Sequence, residues 1–227
     1  MDLLWELVPT MDERKCAYCG VPVTARERDH VFPSCLYPPS RSNSRIQRLT
    51  VPVCSCCNRG WSDDEAHFRN VLLVSGQPNE AVKELWDIKA LRSFREVDGH
   101  RRVRDLLQQM HRVETSTGER WTIYPGRDKR VMRIVRKVIR GLCHYHGVMS
   151  PVSDERVWAD VLKYKVPQEF LDQMEHHHRE QDIAEYRYQV LNEPSIHSAW
   201  LITFYKRRTF IGMVFTSEDG FPENEWA

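Results

Sequence analysis

No stretch of this chain approaches the roughly 20 consecutive apolar residues that a membrane-crossing helix needs. The N-terminal run MDLLWELVPT is apolar but short, carries Asp2 and Glu6, and lacks the basic start and small-residue cleavage site of a secretory leader. No repeat and no low-complexity tract interrupts the 227 residues. These absences lead to the expectation of a cytoplasmic, globular chain with no membrane partner. Net charge is nearly absent too, at +1 from 33 basic and 32 acidic residues, but that total conceals a segregation along the chain. Residues 92–140 hold 14 Lys or Arg against 6 Asp or Glu, and residues 150–227 hold 8 against 14. With 41% hydrophobic residues there is apolar material for one large domain or two small ones.

Seven cysteines are present, and in a reducing compartment they bind metal more often than they form disulfides. Four of them make two CxxC pairs, Cys16 with Cys19 in CAYC and Cys54 with Cys57 in CSCC. A CxxC turn brings two thiolates to one edge of a tetrahedron, and two such turns complete a closed structural zinc site with sulfur about 2.3 Å from the metal. Cys56 is an alternative ligand, but the spacing favours Cys54. Cys35 and Cys143 have no partner at ligand spacing and read as small apolar packing residues.

Between the pairs lies RERDHVFPSC, which sets Asp29 beside His30 shortly before Pro33, while Asn58 directly follows the second pair. A metal holding both turns would pin the ends of the intervening segment and bring Asn58 toward Asp29 and His30. LTVPV, residues 49–53, reads as an edge strand from its β-branched residues and Pro52, so a hairpin is expected. Side chains alternate along a strand, and Asp29 and His30 can therefore serve one site only where the strand ends.

CAYCG, RDHVFP and VPVCSCCNRGWSDDE, in that order over about residues 14–70, resemble the HNH endonucleases of the ββα-metal type, in the version mounted on two CxxC turns. CNRGWSDDE followed by HF is similar to a group of bacterial HNH proteins. The resemblance implies an α+β chain opening on a zinc-stapled ββα-metal module over residues 1–75. Beyond the resemblance, residue patterning reads as a helical arm over 76–126 and a C-terminal α+β unit with a basic helix over 127–227. The resemblance also implies His30 as general base, and Asp29 and Asn58 as ligands of a catalytic divalent cation. One position departs from the motif: its middle asparagine, which helps hold the base, falls on Leu49, with Thr50 adjacent and Asn43 upstream as substitutes.

Phosphodiester hydrolysis requires a deprotonated water, charge neutralisation at phosphorus and stabilisation of the departing oxygen. A neutral imidazole suits His30 to the first task. The hard oxygens of Asp29 and Asn58 suit Mg2+ or Mn2+, distinct from a thiolate-held Zn2+. Downstream, Ser62 and Glu65 fit a capping box, a reading preferred to a metal role for Asp63, Asp64 or Glu65, and His67 reads as a surface or packing residue.

In RDKRVMRIVRKVIRGLCHYHG, Val131, Ile134, Val135, Val138 and Leu142 recur at helical spacing. Lys129, Arg130, Arg133, Arg136, Lys137 and Arg140 make the other side basic, expected to face solvent or the phosphates of double-stranded DNA. Gly141 is expected to interrupt this helix late. EAVKELWDIKALRSF reads as an amphipathic helix ended or bent near DGH at 98–100. DERVWADVL and PQEFLDQMEHHHREQ read as helical, so that His176, His177 and His178 point three ways. EYRYQVLN and SAWLITFYKRRTFIGMVF read as strands, the latter folded at KRR, and SEDGFPENEWA as an acidic tail. The acidic C-terminal unit suits a basic protein partner. The functional expectation is a metal-dependent endonuclease acting on DNA, with a non-catalytic zinc module that binds nucleic acid as the alternative.

Overall fold

Two short strands, β1 (Arg28–His30) and β2 (Thr50–Pro52), pair antiparallel with Asp29 opposite Val51 and His30 opposite Thr50. The ribbon is extended by Val31 N donating to Leu49 O at 3.0 Å. Pro52 has no N–H to give, which a ribbon made only of edges accommodates. The computed structural model describes residues 14–23, 27–41, 48–74, 79–114, 116–118, 120–124, 128–179, 182–191 and 193–218. Asn43, the N-terminal apolar run and most of the acidic tail lie outside the described residues.

After the ribbon come α1 (Ser55–Asn58) and α2 (Ser62–Val74), whose first turn carries Asp63, Asp64 and Glu65 in keeping with the helix dipole. Next is α3 (Glu80–Leu85), capped by Asn79, whose Oδ1 accepts from Val82 N at 2.9 Å. It runs through a π turn (Trp86–Ala90) into α4 (Leu91–Arg95), and α5 (Gly99–Gln109) restarts after a break, as DGH indicates. A second ribbon, β3 (His111–Glu114) with β4 (Arg120–Ile123), precedes α6 (Lys129–Tyr145). The last third is an antiparallel sheet of order β5-β9-β8-β7-β6, made of β5 (Val157–Val161), β6 (Glu175–Arg179), β7 (Ala184–Val190), β8 (Ile196–Phe204) and β9 (Arg208–Phe215). A short α7 (Gln168–Gln173) lies before β6. The chain is thus α+β, and among the described residues no helix is long and apolar enough to cross a membrane.

Two segments depart from their helical reading. β5 occupies most of DERVWADVL and pairs with β9, Val157 opposite Val214, while β6 carries the three histidines and pairs with β7. Among the described residues of the second segment, Gln168–Gln173 alone is helical. A strand is stabilised by its partner as much as by its own residues, and β9 lies some fifty residues downstream of β5. On β6 the histidines alternate: His177 stacks on Tyr186 at 5.3 Å and 16°, while His176 stands 3.8 Å from Glu185. The hairpin at KRR is present, with Tyr205 and Lys206 in the left-handed region at φ 53° and 59°.

One cluster of buried residues runs from Cys16, Val31 and Val51 through Phe68, Ile134 and Val138 to Trp200 and Val214, so ribbon, α2, α6 and sheet share a core. The apolar stripe Val131, Ile134, Val135, Val138 and Leu142 is buried throughout. Gly141 does not interrupt α6, which continues to Tyr145. It is instead where the helix meets the ribbon, since a Cβ there would stand 3.1 Å from Val31 Cγ2.

The start of α6 is fixed by Asp128. Its Oδ1 accepts from Arg130 N at 2.7 Å and Val131 N at 3.3 Å, and its Oδ2 pairs with His67 Nε2 at 2.7 Å and with the Tyr124 hydroxyl. His67 is thus a buried packing residue. Burial opposes the charged carboxyl, but the bonds from His67 and Tyr124 hold Asp128 well below the usual carboxylate range. A depressed folded pKa gives stability that is complete above the unfolded value, about 4, and is lost as pH falls through the folded one. Asp128→Ala is therefore expected to lower stability by about 2 kcal/mol at pH 7, through the lost cap and buried bonds. Urea denaturation should show the gap from wild type closing below about pH 4; a gap that stays constant would rule out this linkage.

Candidate functional site

The first CxxC turn is closed by its own backbone, with Cys16 N donating to Val21 O at 2.8 Å and Gly20 N to Cys16 O at 2.9 Å. Gly20 sits at φ +76°, a conformation that L side chains seldom adopt. Ala17 N donates to Pro52 O at 2.9 Å and ties this turn to the end of β2. There the second turn begins, with Cys54 as N-cap of α1, its sulfur accepting from Cys57 N at 3.4 Å. The Sγ atoms of Cys16, Cys19, Cys54 and Cys57 consequently lie within 4.8 Å of one another and could hold a metal ion such as zinc; Cys56 stands outside the group. Burial would raise the Cys16 thiol, but surrounding backbone N–H groups outweigh it and bring the thiol down to about 7. Burial pushes Cys35 up to about 11 and Cys143 up to about 12, in line with packing roles.

The other end of the ribbon carries Asp29 and His30; the ladder runs one bond past His30, and the side chains alternate, with Asp29 and Val31 buried and His30 half-buried between them. Asp29 is buried, and its Oδ2 accepts from the Tyr18 hydroxyl at 2.8 Å. Lys137 Nζ, from α6, lies 3.1 Å from Asp29 Oδ1 and 2.9 Å from Oδ2, and donates to Glu65 Oε1 at 2.6 Å. Burial and the Asp29 charge push the Tyr18 phenol well up, so it stays a donor. Glu65 is therefore not in a capping box with Ser62. Ser62 is already the first residue of α2 and Trp61 O receives Glu65 N at 2.8 Å, which sets the register one residue off that motif.

Burial and the charge of Arg48 hold the His30 imidazole below its ordinary value against the pull of Asp29, leaving it neutral near pH 7. Its Nδ1 is buried and meets no hydrogen-bond partner among the described residues. Leu49, at the middle motif position, packs in the core. Thr50, across from His30, receives Arg28 Nε on its Oγ1 at 2.7 Å. Asn58 is exposed at the end of α1 and makes no side-chain bond to Asp29 or His30 among the described residues.

The basic side of α6 is not an open surface. Lys129 is exposed, but Arg130 and Arg133 share Asp64 at 2.7 and 2.5 Å, and Arg133 also lies 4.4 Å over the Trp61 ring. Arg136 pairs with Asp154 at 2.8 Å. Arg140 is buried, with Nε donating to Val152 O at 2.7 Å and an Nη to Tyr18 O at 2.9 Å, and Lys137 is wholly buried. Lys137 and Arg140 thus serve the interior rather than phosphate. The acids of α2 and the segment 152–154 pack against this side, which the periodicity of one helix cannot reveal. Tyr18, Arg28 and Arg48 carry no signal in the sequence for their places here, whereas Glu65 had one in its position beside the motif.

No family model, curated protein or solved structure matches this chain.

About one metal equivalent per chain is expected on elemental analysis. Cys16→Ser and Cys57→Ser should each lose it and melt the ribbon, because a structural metal contributes folding free energy directly. A metal-free wild type whose melting both substitutions leave unchanged would exclude the site.

Proposed function

We propose that this chain is a metal-dependent, HNH-type endonuclease that hydrolyses DNA phosphodiester bonds, its ribbon stapled by zinc on the four cysteines. The observation that supports this most is His30, half-buried and neutral, following Asp29 in the chain at the end of a ribbon whose opposite end meets four converging thiols. The donor set suits a hard divalent cation. Each carboxylate oxygen has two lone pairs, so the bonds from Tyr18 and Lys137 leave Asp29 with acceptor capacity. Asp29 and Asn58 would hold Mg2+ or Mn2+, which when bound neutralises charge at the phosphate and the leaving oxygen.

His30 takes the proton of the attacking water, a role that needs the neutral imidazole which burial and Arg48 favour. Arg48, lying 4.1 Å over the Tyr37 ring, and Arg28, held by Thr50, supply positive charge near the ribbon for the phosphate. Lys129, Arg130 and Arg133 form the outer edge for further backbone contacts, a narrower surface than the whole basic side of α6. The second reading, a non-catalytic zinc module that binds nucleic acid, draws on Leu49 in the core and on the ammonium seated on Asp29.

His30→Ala is expected to reduce cleavage by about 100- to 10,000-fold while metal content, melting and DNA affinity stay near wild type. The assay should cover duplex and single strands with Mg2+ and Mn2+. Equal cleavage by wild type and variant removes His30 from the chemistry, and a wild type that binds but cleaves nothing establishes the second reading. Arg130→Gln with Arg133→Gln should weaken DNA binding at all sequences alike and reduce the salt slope by roughly one to two. An unchanged slope would take that edge out of the DNA surface.

A further inference from the structure

We infer that Lys137 is the positioning residue of this site, a resident cation that sets how tightly a divalent metal binds to it; the inference rests on the nuclease reading above. The Lys137 side chain is fully buried, and its Nζ lies within 3.1 Å of both Asp29 oxygens and 2.6 Å from Glu65 Oε1. Asp29 comes from β1 and Glu65 from α2, and two carboxylates brought together out of water repel unless a cation lies between them. The Tyr18 hydroxyl on Asp29 and the Trp61 ring, 5.4 Å from Nζ, lie against the cluster, and the arginines over those two rings, Arg140 and Arg133, are paired with Asp154 and Asp64.

Two carboxylates and one ammonium leave a net charge of −1. One dication and one phosphodiester, carrying −1, would bring the total to zero. A dication arriving alone meets a single surplus negative charge, and the second is carried in by the substrate. Divalent metal therefore binds the free protein weakly and binds more tightly with DNA present, and DNA binding gains equally from the metal. Glu65 is held back from the metal by the same ammonium that holds it in place.

The test is Mn2+ affinity of the full-length, zinc-loaded, DNA-free protein, read from the electron paramagnetic resonance of unbound Mn2+. Lys137→Met keeps the apolar stem and removes the charge, and should bind Mn2+ roughly a hundred- to a thousandfold more tightly than wild type, given the strength of unit charges about 4 Å apart near a protein surface. Its melting temperature should also rise more on adding Mn2+ than that of wild type. Lys137→Arg, with the charge kept, should restore the weak affinity of wild type. Glu65→Gln, which brings the cluster to zero charge, should weaken binding by roughly tenfold or more. Equal or weaker affinity in Lys137→Met, or no Mn2+ bound by wild type and Lys137→Met alike, overturns the inference. Should Lys137→Met fail to fold, Glu65→Gln decides, and an unchanged affinity overturns it. Absence of cleavage with the affinity order intact sinks the nuclease reading alone, whereas cleavage with the order reversed sinks only the role given to Lys137.

Discussion

A buried ammonium must be paired, and Lys137 meets that requirement by joining three elements: its own helix α6, the strand β1 through Asp29, and α2 through Glu65. Removing one partner from such a pair costs about 3–5 kcal/mol, so the relative placement of the three elements is fixed by charge as well as by shape. Close approach is what the pairing demands, and Gly141, one turn along α6, provides it by letting Val31 pack against the helix backbone. Arg140 reinforces the same joint by donating to Tyr18 O, in the first CxxC turn, and to Val152 O.

The ribbon is held at its two ends by different physics. At the Pro52 end, local backbone bonds shape two CxxC turns whose four sulfurs converge, with Arg140 of α6 bracing the first through Tyr18 O. At the His30 end, the side chains depend on other elements: Tyr18 of the first CxxC turn and Lys137 of α6 fix Asp29, and burial together with the charge of Arg48 favours the neutral form of His30.

The C-terminal sheet gives α6 its seat. Tyr188 stacks on Trp200 at 4.8 Å and His177 on Tyr186 at 5.3 Å, and the buried apolar stripe of α6 joins Tyr186, Tyr188 and Trp200 in one core. Once that stripe is buried, the rotation of the helix is set, and Lys137 is directed toward Asp29. Asp64 and Asp154 then pair the four arginines of α6, and Glu65 pairs Lys137, so the basic side of this helix is less open than its count suggests.

The sequence by itself determined the parts that rest on residues a few positions apart. These are the two CxxC turns, the edge strand ending in Pro52, the hairpin at KRR, the amphipathic stripe of α6, and the adjacency of Asp29 and His30. Their physics is local: turn closure, β-branching, helical period. The tertiary structure alone decided that DERVWADVL and the three histidines form strands, because their partners β9 and β7 are supplied by residues farther along the chain. It alone decided that Glu65 turns to Lys137 instead of capping its helix, and that Lys137 and Arg140 face inward. Whether a charge is solvated or paired depends on what packs over it, and burial of the apolar stripe leaves that question to elements remote in the chain.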